Sequence, residues 1–363
     1  MSGGVDSTVA VALLKNQGHE VVGIFMHFWK EKDSAFENKC CSLEDQEKAR
    51  KIANTLGIPF YVKDIEEEFR KEVVDYFLSE LKKGNTPNPC VRCNKQIKFK
   101  KLFETMLAMK FDYIATGHYA QIKKKEKGNE KEKFGLFEAK DNEKDQSYFL
   151  YNLTQKQLSK IIFPVGNYKK SEVRKLAKKF GLPVYNKPES QDICFVPEKD
   201  PNEFIKRNLK IKKGEIVDLN RKILGEHKGL PLYTIGQRKG LNIGGSGPYF
   251  VVQKDMKNNK LIVTNDINDL SLYTNEIKIK DVNWTINAVE KEFQAEVKIR
   301  YRHSRVNAII AKEEGRGRKE ELKGSKIWII KFESPQKAVT PGQSAVIYSK
   351  QGEILGGGVI IKS

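Results

Sequence analysis

The first eight residues combine small, flexible and hydrogen-bonding side chains in a pattern that can bind an anion. The sequence Ser-Gly-Gly-Val-Asp-Ser at 2–7 precedes an apolar run at 9–14, which predicts a tight loop that opens a helix. Adjacent glycines let the backbone fold closely around a ligand, and the N–H groups of a helix start favour negative charge. An ordinary glycine-rich helix start, capped by Ser2 or Ser7, is the alternative interpretation.

This loop contains no lysine, so it is not the G-x-x-x-x-G-K-[ST] loop that holds β- and γ-phosphates. It resembles the PP-loop, the pyrophosphate-binding loop of enzymes that cleave ATP to AMP and pyrophosphate. The resemblance implies that Asp6 holds Mg²⁺ against the leaving pyrophosphate. Such a loop follows a buried parallel strand. No residues precede Met1 here to form one, as expected if the start codon was assigned too late or the chain was trimmed. We therefore expect the sheet to lack a central strand.

The five cysteines are an odd number, too small for a disulfide scaffold. Cys90 and Cys93 form a C-x-x-C pair in a Pro-rich loop before a predicted helix. The helix N-terminus, with Arg92 and Lys95 nearby, is expected to favour the thiolate form there. Cys194 lies far along the chain. The adjacent cysteines at 40–41 are interpreted as buried, inert thiols.

The C-x-x-C pair alone is ambiguous among redox, zinc, iron–sulfur and structural roles. A structural zinc site needs four protein ligands, and the chain has no second C-x-x-C. Three thiolates suit two chemistries. In the first, Cys194 carries a persulfide sulfur and Cys93 resolves it by forming a disulfide. In the second, Cys90, Cys93 and Cys194 hold a [4Fe–4S] cluster whose open iron takes exogenous sulfide.

The elements that must position these residues follow an α/β pattern in the first half of the chain. The apolar run 20–28 predicts a strand covered on both faces, and Ser42 predicts the N-cap of a helix that ends near Leu56. Alternating helices and strands are typical of a doubly wound parallel sheet, with ligands at the carboxyl ends of its strands. The charged, apolar-free tract 123–133 predicts a mobile surface loop.

Short segments separated by Gly, Pro and Asn turns replace the long helices after about residue 200. They predict strands, among them 231–235 and 294–302, in β-rich modules that end in a small barrel. We therefore expect a catalytic PP-loop domain at 1–200, a small central domain at 201–270 and a C-terminal β-barrel at 271–363.

The net charge of +19 is unevenly distributed along the chain. Residues 1–200 carry 36 basic and 29 acidic side chains, whereas residues 201–363 carry 30 and 18. This basic excess favours a polyanionic partner, although a lysine-rich proteome explains it equally well. No apolar stretch approaches 18 residues and no signal peptide is present, which predicts a cytoplasmic protein without membrane association.

Several longer motifs accompany the loop and the cysteines, and together they are far more specific than any one of them. The chain resembles the tRNA-specific 2-thiouridylases, the MnmA family of tRNA-uridine 2-sulfurtransferases, nearly from end to end. The resemblance is carried by S-G-G-V-D-S at 2–7, G-N-T-P-N-P at 84–89, A-T-G-H-Y at 115–119, K-D-Q-S-Y-F-L at 144–150, S-Q-D-I-C-F at 190–195, Y-T-I-G-Q-R-K-G-L at 233–241, I-R-Y-R-H at 299–303 and T-P-G-Q-S-A-V at 340–346.

This resemblance implies ATP- and Mg²⁺-dependent transfer of sulfur to C2 of the wobble uridine in tRNAs for Lys, Glu and Gln. Uracil O2 attacks the α-phosphate, giving an adenylated base and pyrophosphate. Cys194 then delivers a persulfide sulfur, received from a cysteine desulfurase or relay protein, and Cys93 is the second catalytic thiol. Many family members carry Asp where this chain has Cys90, and this third thiol favours the iron–sulfur version.

The resemblance also assigns binding residues. Arg300 and Arg302, two apart on a predicted strand, face the same way and suit phosphates, whereas Tyr301 faces the other way. ATP is assigned to Ser2, Gly3, Gly4, Val5, Asp6, Ser7, Thr8, Met26 and Gly117; the target base to Asn88, Pro89 and Cys90; and tRNA to His118, Lys144, Asp145, Gln146, Arg300, Tyr301 and Gln343. Three alternatives remain open: thiolation of another base, a PP-loop amide-forming ligase, and a non-catalytic RNA-binding protein with a decayed nucleotide site.

Overall fold

A computed structural model describes nine ranges of the chain. The adjacent cysteines at 40–41 and residues 190–192 lie outside the described residues. Within the described part of the chain, no helix is both long and apolar enough to cross a membrane. The ranges are 1–31, 42–125, 132–186, 193–196, 200–244, 247–286, 289, 291–313 and 327–361.

The N-terminal region alternates helices and strands, as predicted. Ser42 caps the second helix, because its hydroxyl accepts the N–H of Asp45 at 3.1 Å. Two long helical rods, 66–82 and 89–108, each contain a π-helical turn. Such turns are often found at functional sites. The first elements are α1 (Val5–Asn16), β1 (Gly23–His27), α2 (Leu43–Thr55), β2 (Phe60–Asp64), α3 (Glu66–Phe69), the π-turn Arg70–Asp75 and α4 (Tyr76–Lys82).

The second rod carries the C-x-x-C pair and leads into the rest of this region. Its elements are α5 (Pro89–Cys93), the π-turn Asn94–Lys98 and α6 (Phe99–Ala108). They are followed by β3 (Ile114–Ala115), β4 (Gln121–Lys125), β5 (Lys133–Phe137), a 3₁₀ turn (Ser147–Leu150), α7 (Gln155–Leu158), β6 (Ile161–Ile162), α8 (Lys170–Lys179) and α9 (Pro201–Asn208).

The parallel sheet of this region consists of two separate pairs. β1 pairs with β2, and β3 pairs with β6, both in parallel. No strand of the described chain joins the two pairs. Met26 and His27 lie at the carboxyl end of β1, and Gly117 follows the carboxyl end of β3. The expected ligand side of the sheet therefore carries both predicted ATP-binding positions outside the loop.

The prediction of a mobile loop at 123–133 is wrong for its described ends. Residues 123–125 belong to β4, and Lys133 begins β5, in an antiparallel hairpin with Gln121 opposite Phe137. Apolar residues just outside the tract, Ile122 and Leu136, pack into the core and hold the hairpin. Lys123 and Lys124 of the hairpin are exposed, which fits the low apolar content of the tract.

The middle region forms a four-stranded sheet in the order β8, β7, β10, β9. The predicted strand at 231–235 is wrong, because Leu230–Leu232 is a 3₁₀ turn. Pro231 lacks the N–H that a strand ladder needs, and Gly229 adopts a φ of 137°. The strands are β7 (Gly214–Val217), β8 (Ile223–His227), β9 (Phe250–Asp255) and β10 (Lys260–Thr264).

Six strands close a barrel in the C-terminal region, as predicted. Their order is β11, β14, β13, β12, β15, β16, and β16 pairs back with β11. The predicted strand at 294–302 ends early, because Val297 pairs with Val306 and the intervening chain must turn. The strands are β11 (Tyr273–Trp284), β12 (Glu292–Lys298), β13 (Val306–Lys312), β14 (Trp328–Lys337), β15 (Ser344–Tyr348) and β16 (Glu353–Ile361).

The barrel and the N-terminal region share one hydrophobic core. β16 pairs with β5, with Ile354 opposite Leu136. Phe99 and Tyr148 of the N-terminal region pack in the same buried cluster as Tyr348 and Ile354 of the barrel. Because this contact is apolar and continuous, the two regions are packed as one unit.

Candidate nucleotide and thiol site

Two glycines shape the loop in front of α1. Gly3 has a φ of 69°, and a Cβ on it would lie 3.1 Å from the carbonyl oxygen of Asp45. Gly4 is the N-cap of α1 in extended backbone and supplies no side chain to cap it. The first-turn N–H groups of a helix have no acceptor within it, so they can act as donors to an anion.

Hydroxyl groups close the loop on itself. The Ser2 and Ser7 hydroxyl oxygens are 3.3 Å apart, and the Ser7 hydroxyl donates to the Gly4 carbonyl at 3.2 Å. The N–H of Thr8 donates to the same carbonyl at 3.2 Å. The structure therefore brings residues 2–8 into one compact turn.

Gly117 packs directly against this turn. A Cβ on Gly117 would lie 2.6 Å from the backbone nitrogen of Ser7 and 2.7 Å from the carbonyl carbon of Asp6. Real Cβ atoms do not approach backbone so closely, so only glycine fits between β3 and the first turn of α1. The structure thus brings Gly117 together with the loop, as the sequence predicts.

The carboxylate of Asp6 is held by two residues from distant parts of the chain. Lys170 Nζ donates to both carboxylate oxygens, at 2.7 and 2.8 Å, and the Tyr119 hydroxyl donates to Oδ1 at 2.8 Å. Lys170 is buried, and its ammonium group lies 5.6 Å from the centre of the Tyr119 ring. These three hydrogen bonds occupy most of the acceptor capacity of the carboxylate.

Sequence reasoning missed Lys170. It stands at the start of α8, 164 positions from Asp6, in a lysine-rich segment where no spacing distinguishes it. Only the fold brings this lysine to a loop that lacks one of its own. The structure adds the signal that Lys170 is buried, unlike Lys175, Lys178 and Lys179 of the same helix.

The K-D-Q sequence at 144–146 braces Tyr119. Gln146 Oε1 accepts the Tyr119 N–H at 3.0 Å, and the Gln146 N–H donates to the Tyr119 carbonyl at 2.8 Å. Asp145 is buried, and its oxygens accept the N–H of Ala139 at 2.9 Å and the hydroxyl of Ser147 at 2.8 Å. Burial raises the pKa of the Asp145 carboxyl.

These partners change the interpretation of the predicted tRNA contacts. A buried, internally bonded Asp145 is poorly placed to contact tRNA, and Gln146 uses its side-chain oxygen within the fold. Lys144 stays partly exposed. Within the fold, Gln146 supports Tyr119 and hence the Asp6 site, and the tRNA contacts of all three residues stay predictions.

The C-x-x-C pair lies on a helix capped by a predicted base-contacting residue. Asn88 Oδ1 accepts the N–H groups of Cys90 at 3.1 Å and Val91 at 3.2 Å. Pro89 is buried at the first helical position, where its missing N–H costs nothing. Cys90 is exposed and Cys93 is buried, one helical turn further along.

Arg92, one of the two basic neighbours predicted for these thiols, bonds elsewhere. Arg92 donates to the Glu72 carboxylate at 2.6 Å, and its guanidinium carbon lies 4.8 Å from the centre of the Tyr76 ring. Lys95 is exposed. The helix N-terminus, rather than Arg92, is therefore the favourable electrostatic feature near Cys90.

Cys93 and Cys194 meet in one apolar cluster. Cys93 is a buried member of it, and the partly buried Cys194 packs against it together with Met26. Phe195 and Phe69 provide the aromatic core, with ring centres 5.9 Å apart. The structure therefore brings both predicted catalytic thiols, and the predicted ATP-binding Met26, to the same part of the molecule.

His118 is enclosed by aromatic rings. Its ring centre lies 5.6 Å from that of Phe99 and 6.1 Å from that of Phe163, and Nδ1 lies 2.8 Å from the Thr116 hydroxyl oxygen. Burial, with the Lys98 charge, lowers the pKa of His118 to about 3. The residue retains partial solvent exposure, so a tRNA contact would involve a neutral imidazole.

Arg300 and Arg302 lie in the turn between β12 and β13, not on a strand as predicted. Both are exposed, and neither forms an ion pair with another described residue. Tyr301 between them packs on Phe149, with ring centres 4.4 Å apart. This arrangement leaves two cations on the surface of the barrel, where phosphates can reach them.

One trio of potential metal ligands is found among the described residues. His27, Asp64 and Glu66 offer ligand atoms that all lie within 4.8 Å of one another. Asp64 is exposed and is the last residue of β2. Its Oδ1 accepts the N–H of Glu66, the first residue of α3, at 3.0 Å. Within the loop itself, the Asp6 carboxylate is the group suited to Mg²⁺.

The family descriptions that match this chain divide it into three parts. Residues 1–198 match the tRNA methyl transferase HUP domain, and residues 202–265 match the tRNA methyl transferase PRC-barrel domain. Residues 274–360 match the aminomethyltransferase β-barrel domain.

Curated relatives are similar over the whole chain. It is 46% identical over 368 residues to tRNA-specific 2-thiouridylase MnmA 2 of Caldanaerobacter subterraneus subsp. tengcongensis, covering 100% of this chain and 96% of that protein. It is 43% identical over 368 residues to tRNA-specific 2-thiouridylase MnmA 1 of Clostridium botulinum strain Loch Maree, covering 100% and 98%. It is 45% identical over 367 residues to tRNA-specific 2-thiouridylase MnmA 1 of Thermoanaerobacter pseudethanolicus, covering 99% and 96%.

Replacing Gly117 should disrupt the loop. In Gly117→Ala the new methyl group collides with the backbone of Ser7, so we expect the free energy of unfolding to fall by about 1–3 kcal/mol. The matched control is Gly225→Ala, where nothing lies within 4 Å of the new Cβ, and its effect should stay within about 0.5 kcal/mol. Urea unfolding curves measure both, and equal effects would contradict the packing argument.

The neutral His118 should make stability depend on pH. The folded protein keeps this imidazole unprotonated down to a pKa of about 3, whereas in the unfolded chain it gains a proton below about pH 6.5. Its contribution is therefore fully present above pH 6.5 and is lost as the pH falls, by at most about 1.4 kcal/mol per pH unit. Urea unfolding of wild type and His118→Gln between pH 7.5 and 4.5 should give a shallower slope for the variant. Identical slopes would show that His118 is protonated equally in both states.

Proposed function

The chain belongs to the tRNA-specific 2-thiouridylase family, and from this premise we propose that it replaces O2 of a tRNA uridine with sulfur. The matching family descriptions refer to methyl transfer, whereas the curated relatives are named for thiolation. The observation that carries the proposal is the shared cluster of Cys93 and Cys194, which are distant in sequence. Two clustered thiols suit sulfur transfer, in which one thiol carries the sulfur and the other releases it by forming a disulfide.

The first step is activation of the base by ATP. The loop at 2–8 and the first-turn amides of α1 hold the phosphates, and uracil O2 attacks the α-phosphorus. The bond from the α-phosphorus to the bridging oxygen breaks, and pyrophosphate leaves with that electron pair. The base oxygen, now bonded to AMP, becomes a leaving group, which an amide-like carbonyl is not.

Asp6 and Lys170 are suited to the pyrophosphate side of this step. Mg²⁺ held by Asp6 would neutralise charge on the departing phosphates. Lys170, whose ammonium group bonds both Asp6 oxygens, would supply a second cation beside the phosphate oxygens. Tyr119 keeps the carboxylate oriented.

Sulfur transfer then uses the two clustered thiols. The terminal sulfur of a Cys194 persulfide attacks C2, and AMP leaves with the original O2. The Cys93 thiolate attacks the Cys194 sulfur, which breaks the persulfide S–S bond, forms a Cys93–Cys194 disulfide and leaves the transferred sulfur on C2. An external thiol must then reduce the disulfide, and a cysteine desulfurase or relay protein must reload the partly exposed Cys194.

A cluster-dependent version uses the same residues. Cys90, Cys93 and Cys194 supply three thiolates, two of them one helical turn apart, and this donor set fits a [4Fe–4S] cluster with one open iron. When bound, such a cluster would supply sulfide to C2 in place of the persulfide. The third thiol, Cys90, is exposed at the helix start and distinguishes the two versions.

The nucleic-acid substrate is the wobble uridine of tRNAs for Lys, Glu and Gln. The exposed Arg300 and Arg302 can take phosphates of the anticodon arm, and the basic excess of residues 201–363 attracts the polyanion. The target base must leave the anticodon stack to reach the thiols, which a single-stranded loop permits at low cost. Asn88 and Pro89 stand beside Cys90, where the base would enter.

Nucleoside mass spectrometry of tRNA tests the proposal. The purified protein, incubated with ATP, Mg²⁺, a sulfur donor and unmodified tRNA, should produce 2-thiouridine. Cys194→Ser should abolish the product while tRNA affinity, measured by filter binding, stays unchanged. Loss of tRNA binding in this variant would instead give Cys194 a structural role, and absence of 2-thiouridine with wild type would reject the function.

The Cys90→Asp variant serves as the control that separates the two sulfur routes. Under the persulfide route it keeps thiolating tRNA, because Cys93 and Cys194 remain. Under the cluster route it loses activity together with the iron and the visible absorption of anaerobically purified protein.

Lys170 should matter for ATP cleavage. In Lys170→Met we expect pyrophosphate release in the presence of tRNA to slow about a hundredfold, because one preorganised cation beside the phosphates is lost. Lys175→Met removes an exposed lysine from the same helix and should release pyrophosphate at the wild-type rate. An unchanged rate in Lys170→Met would restrict this lysine to a structural ion pair.

A further inference from the structure

The loop that leads into the cysteine helix is held by the barrel. Thr86, in the middle of the loop 84–89, donates its N–H to the Pro341 carbonyl at 2.8 Å. Its own carbonyl accepts a hydrogen bond from Gln343 Nε2 at 2.7 Å. Both backbone groups of Thr86 are therefore satisfied by the turn that enters β15, here called the barrel turn (340–344). Partly buried backbone groups need such partners, so the turn determines the path of the loop.

Glycines allow the two segments to approach this closely. Gly342 has a φ of 94°, and a Cβ on it would lie 3.0 Å from both the nitrogen and the carbonyl carbon of Thr86. Gly84, at the other end of the loop, has a φ of 88° and faces Met256 of the middle region. A Cβ there would lie 2.7 Å from the Met256 sulfur. All three regions of the chain thus meet at this loop.

A second path connects the barrel turn to the cysteine helix. The buried Tyr148 donates its hydroxyl to the carbonyl of Ser344, the neighbour of Gln343, at 2.8 Å. The adjacent Phe149 carbonyl accepts the side-chain amide of Asn94 at 3.3 Å, and Asn94 follows Cys93 directly. The barrel turn is therefore linked to the cysteine helix before its first residue and after its last.

We propose that Gln343 is a positioning residue: through Thr86, the barrel turn fixes Asn88 and hence the cysteine helix against the incoming base. This inference rests on the proposed thiolation. It assigns Gln343 a role inside the protein that is distinct from the tRNA contact suggested by the sequence, which stays a prediction. The two roles differ in what they change, because a positioning residue affects the chemical step and a tRNA contact affects affinity.

A positioning residue can change the reaction rate because sulfur transfer tolerates little displacement of the reacting atoms. Transfer of sulfur to C2 needs reacting atoms in near-contact, and small displacements of a positioned group reduce rates strongly. Asn88 caps the helix only two residues after Thr86, so a shift of Thr86 moves the cap and the first turn that carries Cys90. Gln343 is neutral, and its loss leaves the charge that attracts tRNA unchanged.

The test compares Gln343→Met, which keeps the length of the side chain and removes the donor, with Gln351→Met, an exposed position on the same barrel. In Gln343→Met we expect the single-turnover thiolation rate at saturating tRNA to fall about tenfold or more, with the dissociation constant for tRNA unchanged. Amide hydrogens of segment 84–93 should exchange faster in the protein without tRNA. Gln351→Met should match wild type in all three measurements.

A second pair of variants tests the same contact from the other side. Gly342→Ala places a methyl group against the Thr86 backbone and should also accelerate exchange in segment 84–93. Gly352→Ala is its control, since Gly352 has a φ of 78° in the same barrel and its Cβ would meet only the Glu138 side chain. Both variants carry similar backbone strain, but the methyl group presses on Thr86 only in Gly342→Ala.

Two outcomes overturn the inference. A weaker tRNA affinity with an unchanged rate at saturation would make Gln343 a tRNA contact. Unchanged exchange of segment 84–93 in both Gln343→Met and Gly342→Ala would show that the loop does not depend on the turn. Hydrogen exchange requires no catalysis, so it still tests the contact if the wild-type protein fails to thiolate tRNA, which would reject the proposed function alone.

Discussion

The contact between Gly117 and the first turn of α1 is the constraint on which the rest of the site depends. With no side chain between them, β3 and α1 lie backbone against backbone. That approach places Tyr119, two residues further on, within hydrogen-bonding distance of Asp6. Gln146 then fixes Tyr119 from the other side. A wider spacing would separate the loop from the groups that hold its carboxylate.

The ion pair between Asp6 and Lys170 has a second consequence. A buried ammonium group is costly unless it is paired, and Asp6 provides that pairing. The proposed polyphosphate ligand would offer the same ammonium group a second negative partner. The fold thereby holds a paired cation next to a loop that has no lysine of its own.

Local sequence signals predicted the loop, the Ser42 cap and most barrel strands, because these depend on neighbouring residues. The catalytic roles of Cys93 and Cys194 stay predictions. These local signals did not reveal which distant segments of the chain pair with each other. The hairpin of β4 and β5 lies partly in a lysine-rich tract, and its place is decided by pairing with β16. Lys170 and the bond from Gln343 to Thr86 likewise exist only once distant segments meet. Arg300 and Arg302 were misplaced because the register of β12 and β13, not residue type, ends the strand.

The bond between Gln343 and Thr86 spans 257 positions of the chain. During synthesis from the N-terminus, the cysteine helix leaves the ribosome long before the segment that anchors its loop. A nascent chain therefore carries its thiols in a loop that has not reached its final shape. The geometry of the cysteine helix is therefore completed only after the C-terminal barrel has been synthesised and folded.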